Sequence, residues 1–425
     1  MHKDLHEFRD GWRALLASTL GVGIGLTGAP FYTMGIFLGP LGAAFGWSRA
    51  QLSGGALCLH LGYAFTAPFM GRLIDRIGVR KVALTSLLGL TVGLCLMTQI
   101  GPNIASFYGL LLLMAVLGCG TIPTVWAYAV STWFQNNRGF ALSLTLTGTG
   151  LASLGAPLAV NALITHYGWW AGYLGLAAFA AFVVIPAVWF FLSEKTGQKG
   201  AAHGWTPRSP GISARDALET VRFWQLLLGV SCMSLGTGAL ILHLVPMLTD
   251  AGLARSDAVG IVGLLGLAVI AGRLTVGAFV DHIHGPYVAI VYLMFPVIGC
   301  LVMAGAAITP GVAIFGVLMI GLAAGAEVDL IAFLTSKYFG LKSYGELYGW
   351  QLVVFALGAG FGPLLSGWAR DTWGSYEVSL YAGAAAFSLG AALIGTLGRY
   401  PVFVADPSEA VTEGLIDPAP AASVS

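Results

Sequence analysis

Twelve apolar runs, each long enough to cross a bilayer, dominate this chain and leave few ways for it to fold. About 20 apolar residues cover the roughly 30 Å of a hydrocarbon core. Read between polar and Gly/Pro breaks, the runs fall at 13–38, 51–70, 82–100, 104–132, 140–165, 172–193, 223–248, 258–279, 287–307, 311–334, 344–366 and 376–398. Backbone groups in lipid must be satisfied within the segment, so runs of this length predict helices. Asp, Glu, Lys and Arg make up only 9% of the 425 residues, against about 25% in soluble domains. So few charges cannot build a water-facing exterior. The fold class is therefore an all-α membrane protein of twelve transmembrane helices. Its 60 glycines suit helices that approach one another closely.

Composition also excludes. A net charge of +1 and the lack of a basic tract argue against nucleic-acid binding. Cys58, Cys95, Cys119, Cys232 and Cys300 are scattered through apolar runs, with no CxxC or Cys/His cluster. Neither a disulfide framework nor a metal site is expected, and no cofactor. The run from Ala14 to Leu38 exceeds the roughly 7–15 residues of a signal-peptide core, so it reads as an uncleaved first span. The motifs HExxH and GxSxG are missing, which removes the usual membrane-enzyme readings.

The runs divide into two halves. Residues 1–193 hold six spans, 194–222 form a polar linker, 223–400 hold six more, and 401–425 form a tail expected to be disordered. Lys and Arg concentrate in the loops that would share a side with both termini, notably Arg72, Arg76, Arg80, Lys81, Lys195, Lys199, Lys337 and Lys342. Only Arg49, Arg255 and Arg370 fall in the opposite loops. The positive-inside bias then puts both termini in the cytoplasm, in the plasma (inner) membrane. A nearly constant shift also carries Gly71-x-x-x-Asp75 onto Gly277-x-x-x-Asp281, Arg49 onto Arg255, Pro157-Leu158 onto Pro363-Leu364, and Gly168 onto Gly374. Two parallel six-helix repeats, pseudo-symmetric about an axis along the membrane normal, are a transporter architecture with its solute site between them.

The loop after the second run reads Gly71-Arg72-Leu73-Ile74-Asp75-Arg76-Ile77-Gly78-Val79-Arg80-Lys81. It resembles the G-x-L-x-D-R-x-G-x-R-K loop of the major facilitator superfamily at every defined position. The resemblance implies a conformational latch between the halves, carried here by Gly71, Asp75, Arg76, Gly78 and Arg80, with Asp281 in the degenerate second copy. Within that superfamily the chain is most similar to the monocarboxylate transporter branch, including its oxalate:formate-type members. The likeness rests on Asp10-Gly11-Trp12, Phe45-Gly46-Trp47-Ser48-Arg49, Trp133-Phe134 through Arg138-Gly139, and Gly272-Arg273-Leu274 with Gly277 and Asp281. It implies that Arg273 binds the substrate carboxylate. The branch's acidic residue one turn before that arginine is Val269 here, and its lysine near the outer end of the first span is replaced by Leu38 and Gly39. The proton coupling those two residues serve is not implied.

Charges inside the spans are few enough to weigh singly. Arg273, Glu327 and Asp329 sit well within runs. A centred Arg or Asp costs about 2.5–3.5 kcal/mol to insert, so each should face protein or a watered cavity. Arg273 is about 12 Å, at 1.5 Å per residue, from the end of its run. A guanidinium near mid-depth offers two parallel hydrogen bonds to a carboxylate; an internal ion pair is the plainer alternative. Glu327 and Asp329, two residues apart, point to nearly opposite faces and are not expected to line one cavity. Asp329, at a depth like that of Arg273, is the first candidate to carry a proton, and Glu327 the second.

His60 and His243 lie mid-span, with Tyr63 one turn from His60. Imidazole titrates near neutral pH, so each histidine is a candidate for solute or proton contact, against simple packing. Tyr32, Trp126, Tyr128 and Trp350, with Phe31, are candidates for an aromatic lining, although most aromatics in a bundle only pack. The reading is a secondary active transporter of a small organic anion, a monocarboxylate with aromatic ones included, coupled to protons, working by alternating access and functional as a monomer. Anion exchange, a drug or sugar facilitator, and a solute sensor that does not transport stay open.

Overall fold

The computed structural model describes residues 5–134, 137–193, 211–280, 282–401 and 403, and leaves the side chains of Leu5, Ala67, Pro68, Gly71, Asp75 and Arg138 undescribed. Within those residues the chain is helix after helix, with one isolated bridge, Gly211 to Gly340, and no strand. Joining the pieces of broken helices gives twelve rods. The first span is Leu5–Ile24 with Ala29–Phe45, the second Arg49–Ile77, the third Val79–Leu96, and the fourth Ile104–Leu117 with Pro123–Ser131. The fifth is Arg138–Tyr167, and the sixth runs from Trp169–Phe179 through a wider π turn, Ala180–Val184, into Ile185–Phe191. After a short helix at Ala214–Leu218, the seventh is Val221–Ile241 with Leu244–Asp250. The last five are Arg255–Val280, Gly285–Gly305, Pro310–Phe339, Tyr344–Trp373 and Glu377–Gly395. Ten of the helical stretches are long and apolar enough to cross a membrane, so the chain is a multi-pass integral membrane protein.

Three spans that the sequence reading treats as continuous are broken, and proline explains each break. A proline has no N–H for the carbonyl four residues back, and its ring crowds that carbonyl. Pro30 and Pro123 sit at the starts of Ala29–Phe45 and Pro123–Ser131, where a missing N–H costs nothing. Pro246 frees the carbonyl of Leu242 just where the seventh span breaks. The first two breaks meet. The Leu26 N–H donates to Thr121 Oγ1 at 3.2 Å, and a Cβ on Gly25 would lie 2.2 Å from Thr121 O.

Helix bounds repeat between the halves. Arg138–Tyr167 and Tyr344–Trp373 have 30 residues each, with Pro157 and Pro363 inside. Each ends on a glycine at positive φ, Gly168 at 95° and Gly374 at 73°. The breaks do not repeat, since the tenth span runs unbroken where the fourth does not.

The halves meet along two seams, fifth span against eighth and second against eleventh. A Cβ on Gly266 would lie 2.3 Å from Gly150 O, and one on Gly367 would lie 2.8 Å from Arg49 O, so glycine alone allows these approaches. Polar ties gather at the end away from the termini. Asp250 pairs with Arg49 (3.4 Å) and Arg370 (2.8 Å). Asp371 accepts from the backbone N–H groups of Arg49 and Ala50. Arg255 donates across the divide to Asn161 Oδ1 of the fifth span and to Ile36 O of the first.

Asp281, the linker at 194–210 and most of the tail lie outside the described residues, as does the side chain of Asp75. Of the expected latch, Gly78 has φ 85° and joins the second and third spans, and Arg76 is exposed. The Arg80 guanidinium donates to Trp189 O and stacks over the Trp189 ring at 5.3 Å. That contact ties the loop to the sixth span of its own half.

Candidate solute site

The site begins with a groove of small residues. Gly321 and Gly325 lie one turn apart on the tenth span. A Cβ on Gly321 would meet Ala268 Cβ at 2.6 Å, and one on Gly325 would meet Val269 O at 2.1 Å and Arg273 N at 3.0 Å. Gly272 packs as closely on Leu322 O from the other side, at 2.2 Å. The eighth and tenth spans are thereby pressed together beside Arg273, as small-residue spacings allow. This juxtaposition fixes the backbone from which Arg273, Glu327 and Asp329 project.

Arg273 is 6% exposed, and its Nη1 lies 3.6 Å from Asp329 Oδ1, an ion pair longer than a hydrogen bond. Its Nε and Nη1 are buried with no hydrogen-bond partner. Glu327, at 2% exposure, faces the seventh span and accepts from the Thr237 hydroxyl. The two acids thus have different partners, as their spacing predicts. Tyr32 of the first span is within electrostatic reach of Arg273 and Glu327, and Tyr348 of the eleventh is within reach of Arg273 and Asp329. Tyr348 stacks on Tyr344 at 5.4 Å.

The other candidates divide. His60 engages Ala56 O through Nδ1 (2.8 Å) and packs edge-on against Phe31, with Tyr63 at 5.2 Å. A carbonyl only accepts, so Nδ1 carries the hydrogen and Nε2 presents its lone pair. His243 is fully buried at the tied end. Its Nε2 lies 2.9 Å from Pro363 O and 3.0 Å from Ser53 Oγ, and its Nδ1 lies 3.0 Å from the Tyr376 hydroxyl. It is a seam residue between the halves. Trp126 packs between the first and fourth spans. It is 0% exposed, its ring fills the space beside Gly21, and its Nε1 donates to Thr121 O at 3.0 Å. The glycine on the first span is what draws it inward. Trp350 is half exposed near the start of the eleventh span, and Tyr128 is part-buried against the core.

Comparison with known proteins agrees with this architecture. The model of the Major Facilitator Superfamily matches residues 20–363. The chain belongs to that superfamily. Among similar proteins, Monocarboxylate transporter 13 of Bos taurus is 24% identical over 390 residues, covering 90% of this chain and 89% of its own. Monocarboxylate transporter 11 of Homo sapiens is 25% identical over 379 residues, covering 87% and 79%. MFS transporter asaE of Aspergillus flavus is 26% identical over 344 residues, covering 77% and 74%. As a major facilitator the protein is a transporter of small molecules across a membrane and not an enzyme.

Sequence reasoning missed Tyr348, Tyr344, Thr237 and the groove around Gly325. The Gly321-x-x-x-Gly325 spacing two residues before Glu327 was the available signal. The hydroxyl of Thr237, one among many in the spans, carried none.

Proposed function

We propose that this facilitator moves a small organic monocarboxylate, aromatic ones included, across the plasma membrane as a monomer with both termini cytoplasmic, and couples that movement to protons. The observation that carries the reading is Arg273, buried among the spans with two nitrogen atoms that make no hydrogen bond. Desolvated N–H donors without acceptors cost roughly 1–3 kcal/mol each. An arriving carboxylate removes that cost and gains charge-assisted hydrogen bonds. The resemblance to monocarboxylate transporters supports the same substrate class.

Asp329 gives the coupling a physical route. A guanidinium 3.6 Å from Asp329 cannot give its full attraction to a second carboxylate. As the solute takes Arg273, Asp329 loses its counter-charge in a low-dielectric site and takes up a proton. Solute and proton then load together. Separation of Arg49 and Ala50 from Asp250 and Asp371 opens the tied end, and the opposite end closes in turn. Uptake of labelled acids into proteoliposomes, with and without an inward proton gradient, tests this. Small monocarboxylates should accumulate only with the gradient; accumulation of sugars or cationic drugs instead would overturn it.

A further inference from the structure

We propose that a cavity at the membrane boundary of the first span binds one acidic phospholipid, with its phosphodiester on Arg9 and Arg13 and its hydroxylated headgroup on Asp10. The cavity is about 310 Å³, and its polar and aromatic lining is Arg9, Asp10, Trp12, Arg13, Trp133 and Ser193. None of these residues belongs to the solute site. Depth identifies the surrounding medium. No charged residue occurs from Ala14 to Ser48 after the cavity on the first span, and none from Gly168 to Ser193 along the sixth. The cavity sits where both uncharged stretches stop, the level at which phospholipid headgroups lie.

Three spans build the wall. A Cβ on Gly11 would lie 2.7 Å from Phe134 Cε2 and 3.2 Å from Trp133 Cβ, so glycine lets the end of the fourth span seat against the first. Trp133 Nε1 donates to Ser193 O at 2.8 Å and ties that end to the sixth span. Trp12 is 46% exposed, with its ring 5.9 Å from that of Phe191. An indole held at this depth offers acyl chains its apolar face.

Charge then narrows the ligand. At about 100° per residue, Trp12, Arg9, Arg13 and Asp10 follow one another round one face of the helix, and all four are exposed. The two guanidiniums lie one turn apart, and among the described residues neither pairs with a carboxylate. Arg13 instead stacks over the Trp12 ring at 5.6 Å. Two neighbouring forks suit the oxygens of one phosphodiester. The lining holds two positive charges and one negative, so an anionic headgroup neutralises it, whereas an ammonium or choline headgroup adds a further positive charge. A carboxylate only accepts hydrogen bonds, and the hydroxyls of a glycerol headgroup supply the donors for Asp10.

The test titrates delipidated protein with phosphatidylglycerol, phosphatidylethanolamine or phosphatidylcholine and counts bound lipids by native mass spectrometry, with inorganic phosphate as competitor. One phosphatidylglycerol should bind about ten-fold or more tightly than either other lipid, and phosphate should not displace it. Arg9→Gln with Arg13→Gln should weaken that binding roughly ten- to thirty-fold. Arg215→Gln with Arg399→Gln removes the same charge from exposed positions before the seventh span and after the twelfth, at the same end of the bundle, and should leave binding within about two-fold of wild type. Should the glutamine pair fail to fold, Arg9→Lys with Arg13→Lys keeps the charge, loses the forks and should still weaken binding at least several-fold, roughly. Equal binding of the three lipids, or equal loss in the two glutamine pairs, would reduce the site to diffuse surface charge and overturn the inference. Displacement by inorganic phosphate would make it a free-anion site and overturn it as well.

Discussion

Asp371, from the eleventh span, caps the helix that begins at Arg49 in the other half. Its two oxygens accept the N–H groups of Arg49 at 3.1 Å and Ala50 at 2.8 Å, while Ser48 and Gln51 close a capping box on the same turn. The first turn of a helix always leaves such donors unsatisfied. Here two of them are satisfied only while the halves are together at this end.

Removing that cap should favour opening. Asp371→Ala should shift the closed–open equilibrium by about 1–2 kcal/mol, roughly 5- to 30-fold. A cysteine placed at Ser53, beside His243 in the seam, should then react faster with a membrane-impermeant thiol reagent. Unchanged labelling would mean that the Asp250–Arg49 ion pair and the other ties hold this end without the cap.

The fifth–eighth seam makes a steric prediction. Gly266→Val places two methyl groups where Gly150 O and Leu154 N already crowd a Cβ at 2.3 and 2.5 Å. Spin labels across the tied end should show a longer mean distance, and turnover should fall at least several-fold. Closely packed interiors separate in preference to compressing. Wild-type distances with full turnover would place the seam's tolerance elsewhere.

Arg273→Lys tests the carboxylate contact. An ammonium keeps the charge but loses the planar fork, so affinity should fall about ten-fold or more while melting temperature stays close to wild type. Equal affinity in the two proteins would remove Arg273 from the site.

Asp329→Asn separates coupling from passage. Uphill uptake driven by a proton gradient should vanish, whereas counterflow exchange of preloaded solute should persist, since exchange needs no net proton release. Glu327→Gln still accepts from Thr237 and should change expression or melting temperature more than coupling. Concentrative uptake by the Asp329→Asn protein would move the proton to another group.

Trp126→Phe should lower the melting temperature by a few degrees through loss of the hydrogen bond to Thr121 O, a contribution near 1 kcal/mol. Substrate affinity should not change. A weaker Kd at unchanged stability would return Trp126 to the cavity wall.

The sequence made the spans legible because length and apolarity suffice to demand them, and the repeat of Pro157 and Gly168 in Pro363 and Gly374 survives as matching helix ends. Arg273 and the two acids stood out as charges in apolar runs. What stayed hidden depends on which way a side chain turns. Trp126 and Trp350 read alike in sequence, yet one fills a gap left by Gly21 and the other is half exposed. Gln351, uncharged, gave no sign of being buried without partners until its neighbours were known.

The meeting of the first and fourth spans at their breaks has a mechanical consequence. Leu26 gives its N–H to Thr121, and Gly25 leaves no room between them. The fourth span cannot straighten without withdrawing the Thr121 hydroxyl that satisfies the Leu26 N–H inside the membrane. The two interruptions are therefore one joint. It locks these helices into a stiff bracket, so flexing during the transport cycle must fall on the seventh span, whose break at Leu242 touches Gly35 across the divide.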